Sequence, residues 1–285
     1  MLEDISSEKR MKSTMSRYMD PGIANQLLEE GADIMGGLDT TATLLFSDLR
    51  SFTNITESLG AQGTVKLLNE YFEIMVECIT EQGGMLDKFI GDAIMAAFGL
   101  PITHEDDEDR GIKAGINMIK RLWEWNEIRN KEGKPPLDMG LGLNTDKIVA
   151  GNIGSQKRMD YTMIGDGVNL AARLESACKQ YNARILISDF TTKRLKGTYR
   201  IRYIDDVVVK GKTEPLRIYA VHKTTLEHEE FLANYYNGTW DWCLDNCNKC
   251  AFAAPKMAGY YEKMIERMRQ GKPDTWDGIY RATSK

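Results

Sequence analysis

Two aspartates stand where strand-like runs end, Asp48 in LLFSDLRSFT and Asp92 in FIGDAIM. A carboxylate placed right after an apolar run sits at the edge of a sheet rather than in its core. Two such groups brought together could hold Mg2+, a cation that takes one or two carboxylates plus substrate phosphates. Either aspartate alone is also an ordinary turn residue. The residues after Asp48 strengthen its case: Leu49 to Thr53 forms a polar turn before a helix, where backbone N–H groups at Phe52 and Thr53 could cradle phosphate.

A second group lies in DYTMIGDGVNLAARLE, residues 160–175. A glycine-punctuated turn leads into a helix that carries Asn169 and Arg173 on one face at i, i+4. Arginine is always charged and offers its donors in a fixed fork, which suits an anionic transition state. The plainer alternative is an arginine paired with a surface glutamate. Thr162 stands just before, polar in a strand-like run. Lys88 lies four residues ahead of Asp92 amid Met85, Leu86, Phe89 and Ile90, and reads equally as a snorkelling surface lysine. Lys210, in VVVKGKTEP, reads as a turn lysine or as a phosphate ligand.

These residues need a frame. Thr40 to Phe46 is a β-branched, apolar run and predicts a strand; Leu67 to Cys78 has helical periodicity. MLDKFIGDAIMAAF reads as a β-hairpin around Gly91-Asp92. HEDDEDR opens a helix over about 106–130 whose acidic first turn suits the macrodipole, and His104 there reads as part of a solvated helix start. After Pro135-Pro136 come strands at DMGLGLNTD, KIVAGNIG and RMDYTMIG, then a helix from Asp166 to about Cys178. RILIS, a short helix, YRIRYID and LRIYAVH complete the set. Strands and helices mingle without strict βαβ alternation, which predicts an α+β or mixed layer structure.

Composition bounds the function. The chain has 285 residues, 42% hydrophobic and 28% charged, as an ordinary globular protein has. A formal charge of −5 leaves no electrostatic case for nucleic acid. No apolar run approaches the ~20 residues of a membrane span. Five cysteines, an odd set, favour reduced thiols and a cytoplasmic location. Three of them, Cys243, Cys247 and Cys250, lack a fourth ligand nearby and read as one apolar helix face rather than a zinc site.

Taken in order, FSDLRSFT, LDKFIGDAIMAAFG and DYTMIGDGVNLAARLE resemble the class III nucleotidyl cyclases, the adenylyl and guanylyl cyclase catalytic domain, over about residues 38–222. The resemblance implies an α+β fold with a palm-like, ferredoxin-like mixed sheet flanked by helices. By motif position it implies metal binding by Asp48 and Asp92, with two Mg2+ (or Mn2+) ions per active site. Lys88 and Thr162 match the base-reading pair, and Asn169 and Arg173 the transition-state pair. Lys210 matches the lysine near the terminal phosphates, and Phe52 and Thr53 are further substrate-binding candidates. Thr162 departs from the aspartate of many adenylyl cyclases; threonine there is similar to a bacterial, largely cyanobacterial-type subgroup.

The reaction so implied is attack of the ribose 3′-oxygen on the α-phosphorus of ATP, giving 3′,5′-cyclic AMP and pyrophosphate. The general base stays open among Asp48, a metal-bound hydroxide and a substrate phosphate. Lys88 has only donors and suits adenine N1, while the Thr162 hydroxyl can accept from the exocyclic amine. Guanine reverses that pattern, yet Thr162 can donate as well as accept and discriminates less than an aspartate would. Guanylyl cyclases carry Glu at the Lys88 position and usually Cys at the Thr162 position. The resemblance further implies a head-to-tail homodimer, with metal and base-reading residues from one subunit and the Asn169/Arg173 pair from the other.

Three segments are therefore expected: a coupling helix within 1–35 that serves an upstream sensor or regulatory domain, a catalytic domain over 36–222, and a helical extension over 223–285. The extension reads as a helical hairpin, a single tetratricopeptide-like unit, packed on the catalytic domain or added to the dimer. Rival readings are a guanylyl cyclase of the same fold and a non-catalytic regulatory module. A diguanylate cyclase fits less well, because IGDA stands where a GGDEF-type hairpin would be.

Overall fold

A computed structural model describes residues 36–155, 157–208, 215–221, 226–253, 258–273, 276 and 280–281. The coupling helix expected within 1–35, and Lys210, lie outside the described residues.

The first strand shows how the sheet is built. In β1 (Gly36–Leu49) successive side chains point to opposite faces. Leu45 and Leu49 join one buried cluster, whereas Ala42, Leu44 and Phe46 join another on the far side. A strand apolar on both faces must be covered on both, and it is. On the first face lie α1 (Phe52–Thr80) and α2 (Asp107–Lys131), whose Tyr71, Met75, Ile112 and Met118 pack onto β1, β3 (Ala93–Phe98) and β4 (Met139–Ser155). On the other lies α3 (Asp166–Ala177), through Val168 and Ala171.

The remaining strands are β2 (Met85–Ile90), β5 (Arg158–Ile164), β6 (Ile185–Ser188), β7 (Ile201–Val208), β8 (Leu216–Val221) and β9 (Tyr280–Arg281). Their order is β2-β3-β1-β4-β6-β8-β7-β9, with β5 hydrogen-bonded to β4 off this path. The pairs β4–β6 and β7–β9 are parallel; the others are antiparallel. A one-turn helix, α4 (Asp189–Thr192), follows β6, its N-terminus capped by the Ser188 hydroxyl. This is the α+β mixed sheet that the motifs imply.

Two boundaries differ from the sequence reading. DMGLGLNTD and KIVAGNIG are one strand, β4, because β1 runs alongside without a break: Asp146 and Lys147 lie opposite Ala42 and Thr41. The polar Thr145-Asp146-Lys147 stretch looks like a turn only when its partner is out of sight. α1 begins at Phe52, well before the periodic stretch at Leu67, and is kinked at Gly60 (φ 65°). Its first turns are mostly exposed and so carry little apolar period.

The C-terminal segment holds three helices rather than a hairpin: α5 (Leu226–Tyr236), α6 (Trp240–Ala253) and α7 (Ala258–Arg269). They share one core with Leu170 and Leu174 of α3 and with Ile204, Ile218 and Ala220 of the sheet. Cys243, Cys247 and Cys250 all point into that core, and burial pushes the Cys243 and Cys247 thiols up to about 12. No helix among the described residues is long and apolar enough to cross a membrane.

Candidate active site

Asp48 ends β1, and Asp92 stands in the tight turn that joins β2 to β3, where Gly91 adopts φ 66°. That left-handed conformation costs glycine nothing and most other residues about 1–2 kcal/mol. Because Ser47 pairs with Ile94, the register of β1 and β3 carries the two aspartates to the same end of the sheet. Their carboxyls meet. Burial, a hydrogen bond from carboxyl to carboxyl and the charge of Asp48 together push Asp92 up to about 7.

A third carboxylate joins them from α3. Burial and the charges of Asp48 and Asp92 push Glu175 up to about 7, against a smaller pull from Arg50. α3 can lie this close because β4 carries glycine beneath it: a Cβ at Gly142 would overlap the helix backbone at Ala171 and Glu175. Arg50 does not neutralise the group, being held by Asp138 (3.4 Å) and by the Ala183 carbonyl. Three acidic groups thus share a half-buried corner, and the nearby Arg50 is engaged elsewhere; among the described residues no other cation pairs with them. Hard oxygen donors in want of positive charge fit a divalent cation. No group of three or more metal-ligating side chains among the described residues makes a ready ion site. A cation there would draw its further oxygens from elsewhere, as Mg2+ does when substrate phosphates complete its shell.

The base-reading candidates converge at a second place. Lys88 lies on β2 and Thr162 on β5, strands that are not neighbours in the sheet. Both reach Asp87: the Thr162 hydroxyl donates to Asp87 Oδ2 at 3.1 Å, and Lys88 Nζ lies 3.6 Å from the same oxygen. The Asp87 side chain is fully buried, whereas that of Lys88 is 41% exposed. Burial raises Asp87 above the usual carboxylate range, while Lys88 and Thr162 hold it down.

Asn169 and Arg173 lie one turn apart on α3, Asn169 exposed and Arg173 half-buried. The Asn169 amide donates to the Gly165 carbonyl at 3.4 Å. No hydrogen bond or ion pair engages Arg173 among the described residues, so the paired-surface-arginine alternative finds no partner. Positions two apart on a helix point to nearly opposite sides. With Glu175 turned toward Asp48 and Asp92, Arg173 points away from that corner. Phe52 and Thr53 open α1; Phe52 packs against the core and Thr53 is exposed.

Sequence reasoning missed Asp87 and Glu175. Each sits beside a residue it singled out, Asp87 next to Lys88 and Glu175 two after Arg173, but neither has a partner visible in the sequence.

The adenylate and guanylate cyclase catalytic domain family matches residues 38–223, and the chain belongs to it. Among curated proteins it is 38% identical over 186 residues to an adenylate cyclase of Anabaena cylindrica, covering 63% of this chain and 36% of the relative. It is 36% identical over 242 residues to the terminal-differentiation specific adenylate cyclase of Dictyostelium discoideum, covering 81% of this chain and 11% of the relative. The chain therefore spans well under half the length of either. Among solved structures, the guanylyl cyclase Cya2 is 38% identical with a TM-score of 0.60, covering 67% of this chain and 96% of that one. The adenylyl cyclase CyaB from P. aeruginosa is 36% identical with a TM-score of 0.62, covering 67% and 98%.

Proposed function

We propose that the protein is an adenylate cyclase that converts ATP to 3′,5′-cyclic AMP and pyrophosphate in sites shared between two copies of the chain. The observation that carries this reading is the contact between Asp48 and Asp92, two carboxylates crowded together with no cation paired with them among the described residues. Such a pair would hold Mg2+ or Mn2+, two ions per site, against the nucleotide phosphates. Ions bound there would polarise the reacting phosphate and favour the ionised 3′-oxygen.

The chain's own residues do the rest. Arg173 meets the negative charge that grows on the α-phosphate as the new P–O bond forms and the pyrophosphate oxygen departs. Asn169 orients the ribose. Lys88 donates to adenine N1, and the Thr162 hydroxyl lies beside the exocyclic amine. Phe52 and Thr53, at the start of α1, and Lys210 are assigned to the phosphates.

Arg173 points away from its own Asp48–Asp92 corner and has no acidic partner among the described residues, which supports a site completed by a second copy. Val149 and Ile164, opposite each other in β4 and β5, are 37% and 54% exposed and offer apolar surface for such a copy. The absence of any disulfide among the five cysteines supports a cytoplasmic setting. Residues 1–35 are assigned to coupling with an upstream sensor.

Mixing tests the shared site. Arg173→Ala should lower turnover by roughly 10²–10³, as loss of an anion-stabilising group does, and Asp48→Ala, which removes a proposed metal ligand, should lower it at least as far. An equimolar mixture should regain activity in one of its two sites. A mixture that stays inactive while both variants fold and dimerise would sink the shared site. Lys88→Ala mixed with each variant in turn assigns the base-reading pair to one subunit. Turnover of ATP against GTP decides the substrate, since the likeness to the guanylyl cyclase Cya2 favours a second reading as a guanylyl cyclase.

A further inference from the structure

Asp87 is unlike the other fully buried aspartate environments of this fold. Asp109 fills both oxygens, accepting from the Lys196 and Gly197 backbone N–H groups and from the Tyr199 hydroxyl. Asp205 also fills both, with Tyr181, Arg267 and Tyr236. Among the described residues, Asp87 fills only Oδ2, and only with Thr162 and Lys88; Oδ1 is buried with no hydrogen-bond partner there. A carboxylate kept for stability alone gains nothing from one empty oxygen, since an unmade buried hydrogen bond costs free energy. Its two contacts are the two residues placed to touch the base.

We infer that Asp87 is the specificity-determining positioning residue of the nucleotide site: by accepting the hydrogen bond of the Thr162 hydroxyl it leaves that ambiguous group to act only as an acceptor, and it selects adenine. This rests on the adenylate cyclase reading above. A threonine hydroxyl has one proton and two lone pairs, and an ionised carboxylate can only accept. With that proton committed to Asp87 Oδ2, Thr162 offers a ligand lone pairs alone. The same oxygen lies 3.6 Å from Lys88 Nζ, whose side chain is part-exposed and so keeps donors open to a ligand. The pair therefore presents one acceptor beside one donor. Adenine matches with its N6 amine and N1. Guanine mismatches with an O6 acceptor and an N1–H donor, and a site built for hydrogen bonds rejects the ligand that leaves them unpaired.

The test compares kcat/KM for ATP and GTP in the full chain. In Asp87→Asn the side-chain amide can donate to Thr162, which frees the hydroxyl proton to face O6. The ATP:GTP ratio should fall by about tenfold or more, the scale of one reversed hydrogen bond. The change should appear in KM more than in kcat, because Asp87 acts through Thr162 and Lys88, the pair assigned to the base. Thr162→Val should relax the ratio similarly, and Asp87→Asn should then add nothing further. Thr162→Ser, which keeps the hydroxyl, should preserve the ratio. If Asp87→Asn fails to fold, Asp87→Ser, a smaller group that can also donate to Thr162, should give the same relaxation.

A folded Asp87→Asn whose ratio stays within twofold of wild type, while Thr162→Val relaxes it, overturns the inference and leaves the adenylate cyclase reading standing. A wild type that prefers GTP sinks that reading, and this inference with it.

Discussion

Asp92 and Asp205 are held by the same sheet, and their surroundings are opposite. Asp205 sits where the β7–β8 register shifts, fully buried, with Arg267 of α7 and Tyr181 both 2.7 Å from Oδ2 and the Tyr236 hydroxyl 3.1 Å from Oδ1. Arg267 also lies over the Tyr181 ring at 4.8 Å. Burial still pushes Asp205 up, but every lone pair that matters has a donor, and the charge has its counter-charge. Asp92 is less buried and has the reverse: two more carboxylates for neighbours and, among the described residues, no cation paired with it. The difference separates a charge that holds the chain together from a charge that waits for something outside it. The first fastens the C-terminal helices to the catalytic sheet. The second is an unsatisfied corner that a divalent cation would satisfy.

Removing the counter-charge gives the largest expected effect. Arg267→Met leaves Asp205 buried and unpaired and should cost about 3–5 kcal/mol, read from the urea midpoint. Pairing it with Asp205→Asn should recover a good part of that loss. A single variant that costs less than about 1 kcal/mol would mean that Asp205 is not held by this pair.

Removing a charge at the other aspartate should act with opposite sign. Asp92→Asn should lower cyclase turnover by about 10² or more, as in other charge-stabilising sites, yet raise the melting temperature of the metal-free protein at pH 8. Site residues kept against stability commonly behave this way. A fall in melting temperature would show that the corner is not strained by its own charge.

The pH dependence comes from the direction of the shifts. Asp92 and Glu175 rise from ordinary carboxylate values to about 7, so the folded chain binds protons that the unfolded chain has already lost. Their effect on stability is therefore favourable at low pH and declines as pH rises from about 4 through about 7. The gap in melting temperature between wild type and an Asp92→Asn/Glu175→Gln variant should be wide at pH 8 and close by pH 5. Mg2+ at pH 8 should raise the melting temperature of wild type and leave the variant's unchanged.

The smallest effect lies back at Asp205. Tyr236→Phe removes one hydrogen bond to Oδ1 and should cost about 1 kcal/mol. A loss as large as that of Arg267→Met would make the tyrosines, not the ion pair, the fastening.

Local signals carry much of this. The β2–β3 hairpin, α2, α3 and β5 arise from apolar period and glycine placement, and each lies within a residue or two of its expected ends. β4 reads as two strands in the sequence because strand continuity depends on a partner, and Asp146 and Lys147 look like a turn only to a reader who cannot see β1 alongside. That the extension holds three helices rather than a hairpin, and that β9 pairs with β7, has no local signal, since helix count there turns on a shared core rather than on a repeat pattern. Asp87 is overshadowed by Lys88, its neighbour; nothing in LDKF tells that the aspartate is buried or that a threonine 75 residues on donates to it.

By itself the sequence determined the family, the residue types fit for metal, phosphate and base, and the alternation that makes a sheet covered on both faces. Those are properties of side chains and of short periods, readable wherever they occur. Only the tertiary structure decided which charges are answered. It brought Asp48, Asp92 and Glu175 into one corner with no cation paired to Asp48 or Asp92 among the described residues, gave Asp205 its arginine, and set Thr162 and Lys88 on one oxygen of Asp87. Electrostatic balance depends on distance and burial, and neither exists until the chain has folded.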